Sequence, residues 1–155
     1  MRITHAVLVS TLLVGIAAFA TGPAAADDDT YTAAVNDVKQ TLGFVPTFMA
    51  QLPKAGFAGA WQQLKELELS ENTALSPKVK ALIGLAVVAQ IPCDYCIWAD
   101  TMGAKQAGAS DEEIREAVAI AATERYWSTM LNGVQADLDT FKKEFGKLYA
   151  AEAGK

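Results

Sequence analysis

Two serine-led helix starts bracket the centre of this chain and leave little room between them for anything but helices. Ser76-Pro77 sets a capping hydroxyl before a proline at the first helical position, where the missing N–H would have gone unpaired in any case. Ser110-Asp111-Glu112-Glu113 places a serine three residues before a glutamate, so that each side chain can reach the other's backbone N–H. Behind the first start runs Ala81-Leu82-Ile83-Gly84-Leu85-Ala86-Val87-Val88-Ala89, apolar almost all round, as in the centre of a domain or a subunit contact. Pro92 breaks that helix, and the next opens around Cys93 and closes at Gly108. Behind the second start, Ile114, Ala117, Val118 and Ala121 form an inner face.

The flanks read the same way. Thr30 caps a first helix with Ala34, Val35, Val38 and Leu42 on one face, and Gly43 ends it. A loop over 43–48 carries two aromatics and a proline. A second helix over 54–69 turns Phe57, Trp61, Leu64 and Leu67 inward, and 70–73 is loop. A last helix runs from about Glu124 to Leu148 with Trp127, Met130, Leu131, Leu138, Phe141 and Phe145, and Asn132-Gly133 interrupts it. Trp98, Met102 and Met130 read as packing residues. No segment alternates with the period of a strand, so the expected class is all-α.

Residues 1–26 have a different character. Arg2 lies in a short polar start, residues 6–20 are apolar, and Gly22-Pro23-Ala24-Ala25-Ala26 supplies small residues and an Ala-x-Ala pattern. This is the layout of a secretory signal peptide, with the helical domain occupying 27–155. Its 15-residue apolar run falls short of the ~20 residues that span a bilayer, so no stable membrane insertion is expected after cleavage. The expected location is the periplasm or the exterior of the cell. Asp27-Asp28-Asp29 then makes a solvated mature terminus.

Cleavage after Ala26 removes His5, the only histidine. Cys–His pairs, Ser–His–Asp triads and histidine-ligated metals or haem leave the vocabulary with it. A formal charge of −5 and the absence of any Lys/Arg cluster argue against nucleic acid. Thiol, carboxylate, phenol and amine remain.

The remaining chemistry gathers at Cys93-Asp94-Tyr95-Cys96. Two cysteines three apart in the first turn of a helix share one face, and the unpaired amides there favour a thiolate. A thiolate attacks a peroxide or disulfide, and its neighbour resolves the product as an internal disulfide. A zinc half-site would need two further ligands, and the mature chain has neither a second cysteine pair nor a histidine. An inert structural disulfide is the other alternative, which export would permit. Neither metal nor organic cofactor is expected.

From Leu75-Ser76-Pro77-Lys78-Val79-Lys80-Ala81-Leu82-Ile83 through Cys93-Asp94-Tyr95-Cys96 to Ala107-Gly108-Ala109-Ser110-Asp111-Glu112-Glu113-Ile114, the chain resembles the AhpD-like branch of the carboxymuconolactone decarboxylase family. Gly43-Phe44-Val45-Pro46 and Trp61 add to the likeness, which covers about 40–135. The resemblance implies an AhpD-like helical bundle, assembled as a homotrimer or homohexamer, that reduces alkyl hydroperoxides or exchanges disulfides. It also implies an external thiol electron donor, Cys96 as the peroxidatic sulfur and Cys93 as the resolving one. Helix electrostatics alone favour Cys93 as the lower-pKa thiol. The pattern departs from the family at two relay positions, where Ala81 stands for a glutamate and Asp100 for a histidine. Tyr95 stands where some members carry histidine. Asp100, one turn beyond Cys96, can relay a proton if burial raises its pKa. Lactone decarboxylation and a non-catalytic scaffold subunit with a permanent bridge are the competing functions. Glu124, Arg125, Tyr126 and Trp127 can approach the dithiol, although a surface ion pair and a core aromatic explain them as well.

Overall fold

The structure is a computed structural model that describes residues 28–91 and 93–152. The expected signal segment, with His5, and Pro92 lie outside the described residues. The chain divides into two compact units, Met1–Ala58 and Gly59–Lys155.

In the described part of the first unit, α1 spans Asp28–Leu42 and buries Ala34 and Val38, two of the four residues expected on its inner face. Thr30 lies inside the helix rather than capping it, and Asp28 and Asp29 supply negative charge to the first turn, where the helix dipole favours it. Gly43 ends α1 in the left-handed region at φ 82°, its N–H donating to the Lys39 carbonyl at 2.9 Å. A 3₁₀ turn, Thr47–Gln51, buries Met49. Lys54 Nζ donates to Asp28 at 2.7 Å and lies 5.4 Å from the Tyr31 ring centre; Tyr31 in turn meets Phe57 edge to face at 5.2 Å. The hydrogen bond from Lys54 holds the Asp28 carboxyl below its ordinary pKa.

The boundary between the units falls within α2, Phe57–Gln63, which continues as a π-helical segment, Leu64–Leu69. Trp61 is only 5% exposed, and Leu64 is half-buried. Leu67 is exposed, contrary to the inward placement read from a 3.6-residue period. The wider turn of the π segment rotates later residues off the face that Phe57, Trp61 and Leu64 define.

The second unit is organised around α3, Pro77–Val88, which packs against the π segment and against α4, Asp94–Gln106, and α5, Asp111–Gly133. Both anticipated starts are present. Ser76 Oγ accepts from Val79 N–H at 3.3 Å, and Pro77 is the first helical residue. Ser110 and Glu113 bond reciprocally at 3.1 and 2.7 Å. Leu85 of α3 is 2% exposed, and the small residues Ala104 of α4 and Ala121 of α5 are buried. Gly108 closes α4 at φ 84°, as its position predicts.

The helix expected to start near Glu124 does not exist as a separate element. α5 continues through that point because nothing between Asp111 and Asn132 breaks it, and its alanines, glutamates and arginines favour the helical state. The interruption follows Asn132-Gly133. There Gln135 takes φ 53°, and Ala136 N–H reaches back to the Leu131 carbonyl at 3.0 Å. α6 then spans Leu138–Glu152.

Much apolar surface is left without cover. Met102 and Met130 are exposed rather than core fillers, and so are Trp98 and Trp127. Ile83 and Val87 of α3 and Leu138, Phe145 and Leu148 of α6 join them. Among the described residues no other helix packs on α6, where Phe141 and Phe145 stack on each other at 4.2 Å. Among the described residues, these side chains lie on helix faces that no neighbouring element covers. Among the described residues no helix is long and apolar enough to cross a membrane.

Candidate functional site

Cys93 sits at the N-cap of α4 and Cys96 within its first turn, which is the placement read from the sequence. The two are joined as a disulfide with Cα atoms 5.4 Å apart. The backbone N–H of Cys96 donates to Cys93 Sγ at 3.3 Å, so the first cysteine performs the task that serine performs at α3 and α5. Both cysteines are half-buried. Around them the surface is aromatic and open: Tyr95 is 89% exposed and Trp98 69%. Asp94 is exposed in the first turn, where its charge suits the dipole.

Asp100 lies one turn beyond Cys96 on the same face of α4. It is half-buried, and desolvation raises its carboxyl pKa above the ordinary value. It rests against Gly84 of α3. A methyl group built on Gly84 would stand 3.2–3.4 Å from the carboxylate atoms of Asp100, so the bare glycine makes the room the acid occupies. Ala81, where the resemblance expects a glutamate, is half-buried one turn earlier on that helix. At this level of the helix pair the carboxylate comes from α4 and the room for it from α3, where the resemblance implies a glutamate on α3 and a histidine on α4. Gly84 carries no functional signal in a single sequence, because its role depends on which residue packs over it.

A second polar feature adjoins the site. Gln90, three residues before Cys93, donates through its side-chain amide to the Ala121 carbonyl of α5. Its Oε1 accepts from Arg125 Nε at 3.1 Å. Among the described residues no carboxylate pairs with Arg125, which corrects the surface ion pair read from the sequence. Tyr126 and Trp127 meet edge to face at 5.2 Å and are exposed, so the expectation of a core aromatic there is also corrected. Among the described residues no group of three His, Cys, Asp or Glu side chains is placed to hold a metal ion.

An all-helical domain whose two cysteines form a disulfide at the start of α4 is a narrow class. The family model of the carboxymuconolactone decarboxylase family matches residues 55–138, and the chain belongs to that family. Uncharacterized protein 4 in the cox locus of Paracoccus denitrificans is 35% identical over 85 residues, which are 52% of this chain and 77% of that protein. The crystal structure of the alkylhydroperoxidase AhpD core from Rhodospirillum rubrum aligns with a TM-score of 0.61 at 24% identity, over 72% of this chain and 85% of that one. The fold is therefore the AhpD-like helical fold.

Proposed function

We propose that the protein is a thiol-dependent oxidoreductase that reduces organic hydroperoxides through Cys93 and Cys96. The observation that carries this reading is the half-buried disulfide at the start of α4, with the raised-pKa carboxyl of Asp100 one turn away. In the reduced enzyme the Cys96 thiolate attacks the terminal oxygen of the hydroperoxide. The O–O bond breaks, the alkoxide takes a proton and leaves as alcohol, and Cys96 becomes a sulfenic acid. Protonated Asp100 supplies that proton. The Cys93 thiolate, stabilised at the N-cap, then attacks the Cys96 sulfur. The S–S bond forms and hydroxide departs as water. One hydroperoxide and two thiols thus give one alcohol, one water and one disulfide. An external thiol or dithiol returns two electrons to restart the cycle.

The assembly expected of this reading is a homotrimer or homohexamer. The many exposed large apolar side chains of α3, α5 and α6 support it, since such surface is a common mark of a protein contact. Export to the periplasm or beyond rests on the layout of residues 1–26.

The test is peroxide consumption by the mature protein with a dithiol reductant. Cys96→Ser is expected to reduce turnover to the uncatalysed rate. Undiminished turnover in that variant would leave a scaffold subunit with a permanent bridge as the better account.

A further inference from the structure

The geometry points to a docking site for a carboxylate beside the dithiol, built on Arg125 and Gln90. A shallow open groove of about 260 Å³ is lined by Gln90, Ala121, Glu124, Arg125 and Ser128. Gln90 is fixed from both ends of its amide: the nitrogen donates to the Ala121 carbonyl and the oxygen accepts from Arg125 Nε. That second bond occupies one of the five N–H groups of the guanidinium and sets its plane. The four N–H groups on the two Nη atoms form the fork that matches a carboxylate bidentately. Among the described residues no acid pairs with that fork, although the chain carries a formal charge of −5, whereas Arg115 on the same helix is paired with Glu112.

Position gives the groove its meaning. Gln90 and Cys93 are three residues apart, so their Cα atoms are separated by at most about 11 Å. In the proposed pose the carboxylate of a small molecule sits on Arg125 and its reacting atoms face the sulfurs. Glu124 lines the same groove, and its negative charge weakens the hold on an anion there. Ser128, one turn along α5 from Glu124, adds a hydroxyl donor. This inference rests on the dithiol reading for its purpose and gives that reading a substrate class: hydroperoxides or disulfides that bear one carboxylate near the reacting atoms.

Two measurements test it. The first uses reduced full-length protein and compares its reaction with dithiobis(nitrobenzoate), which carries a carboxylate on each ring, and with the neutral dithiodipyridine. Arg125→Met is expected to slow the first reaction about tenfold, the scale of one charge-assisted hydrogen bond, and to leave the second unchanged. Arg115→Met removes an equal charge elsewhere on α5 and is expected to leave the ratio of the two rates as it is. An unchanged ratio in Arg125→Met overturns the proposal. The second measurement needs no thiol chemistry. Hexanoate, but not hexanol, is expected to shift the Arg125 Nε–H and Gln90 side-chain amide resonances of the oxidised protein, and Glu124→Gln is expected to tighten hexanoate binding. Resonances that ignore hexanoate overturn the site whatever the thiols do. Resonances that respond in a protein that consumes no peroxide uphold the site and remove only the peroxidase reading.

Discussion

The starts of α4 and α5 face the same backbone problem and solve it with different chemistry. Each helix begins with amide N–H groups that lack partners within the helix. At α5 the solution is permanent. Ser110 and Glu113 exchange hydrogen bonds, and Lys78 of α3 donates to the same glutamate at 2.8 Å. The Lys78 bond, followed by that from the Ser110 N–H, holds the Glu113 carboxyl below its ordinary pKa. At α4 the acceptor is the Cys93 sulfur, a weaker partner at 3.3 Å whose charge changes with its oxidation state. One helix start is finished for stability. The other leaves its partial positive charge to a sulfur that, in the proposed reaction, gains and loses electrons.

The comparison breaks most visibly at Cys93. Cys93→Ser puts a strong capping residue at the N-cap, so its stability is expected to lie within about 0.5 kcal/mol of the reduced wild type by denaturant titration. Catalytic cycling is expected to stop, because a sulfenic acid on Cys96 would have no intramolecular partner. A large loss of stability would show that the sulfur holds the helix start together rather than serving chemistry.

A smaller effect is expected at Asp100. Asp100→Asn keeps the shape and removes the transferable proton, and should lower peroxide turnover about a hundredfold. The wild-type rate should fall as pH rises through the elevated Asp100 pKa, and the variant should lack that limb. Stability follows the same sign. Because the folded-state pKa is raised, ionising Asp100 weakens the fold as pH climbs from the ordinary carboxylate range through the raised value. Asp100→Asn should therefore melt higher than wild type at neutral pH and not below that range. Gly84→Ala tests the same seat from the other helix. Its gain in helix propensity, about 1 kcal/mol, opposes the crowding, while the displaced carboxylate should cost about tenfold in rate.

The smallest effect belongs to α5. Ser110→Ala should cost about 1 kcal/mol and leave the reaction of the dithiol unaltered. The contribution of Glu113 has the opposite pH sign to that of Asp100: it is present above the ordinary carboxylate range and lost as pH falls through the lowered value. Thermal scans of wild type and Ser110→Ala across that acid range check both statements.

The helix starts were readable because their signals are local. Ser76-Pro77, Ser110 with Glu113, Gly43 and Gly108 each act within one turn of chain. The dithiol was readable for the same reason. The continuity of α5 was not, because the burial of its apolar residues changes along it: Ala117 is half-buried and Ala121 buried, while Trp127 and Met130 lie exposed. A turn in the stripe looks like a new helix when the surface that covers the second side belongs to no element of the same unit. The π segment escaped notice because one extra residue per turn leaves no mark on composition. Gly84 and the Gln90–Arg125 pair lay beyond a linear reading altogether, since each acquires its role from a residue on a neighbouring helix.

The bond from Cys96 N–H to Cys93 Sγ bears on what reduction of the disulfide would change. The sulfur already receives this amide when it is tied to Cys96, and as a free thiolate it would receive the same amide more strongly. The winding of α4 is therefore expected to be the same in oxidised and reduced forms, so that the proposed cycle would move little beyond two sulfur atoms and the protons that follow them. Amide exchange across the first turn of α4 should accordingly be as slow after reduction as before it.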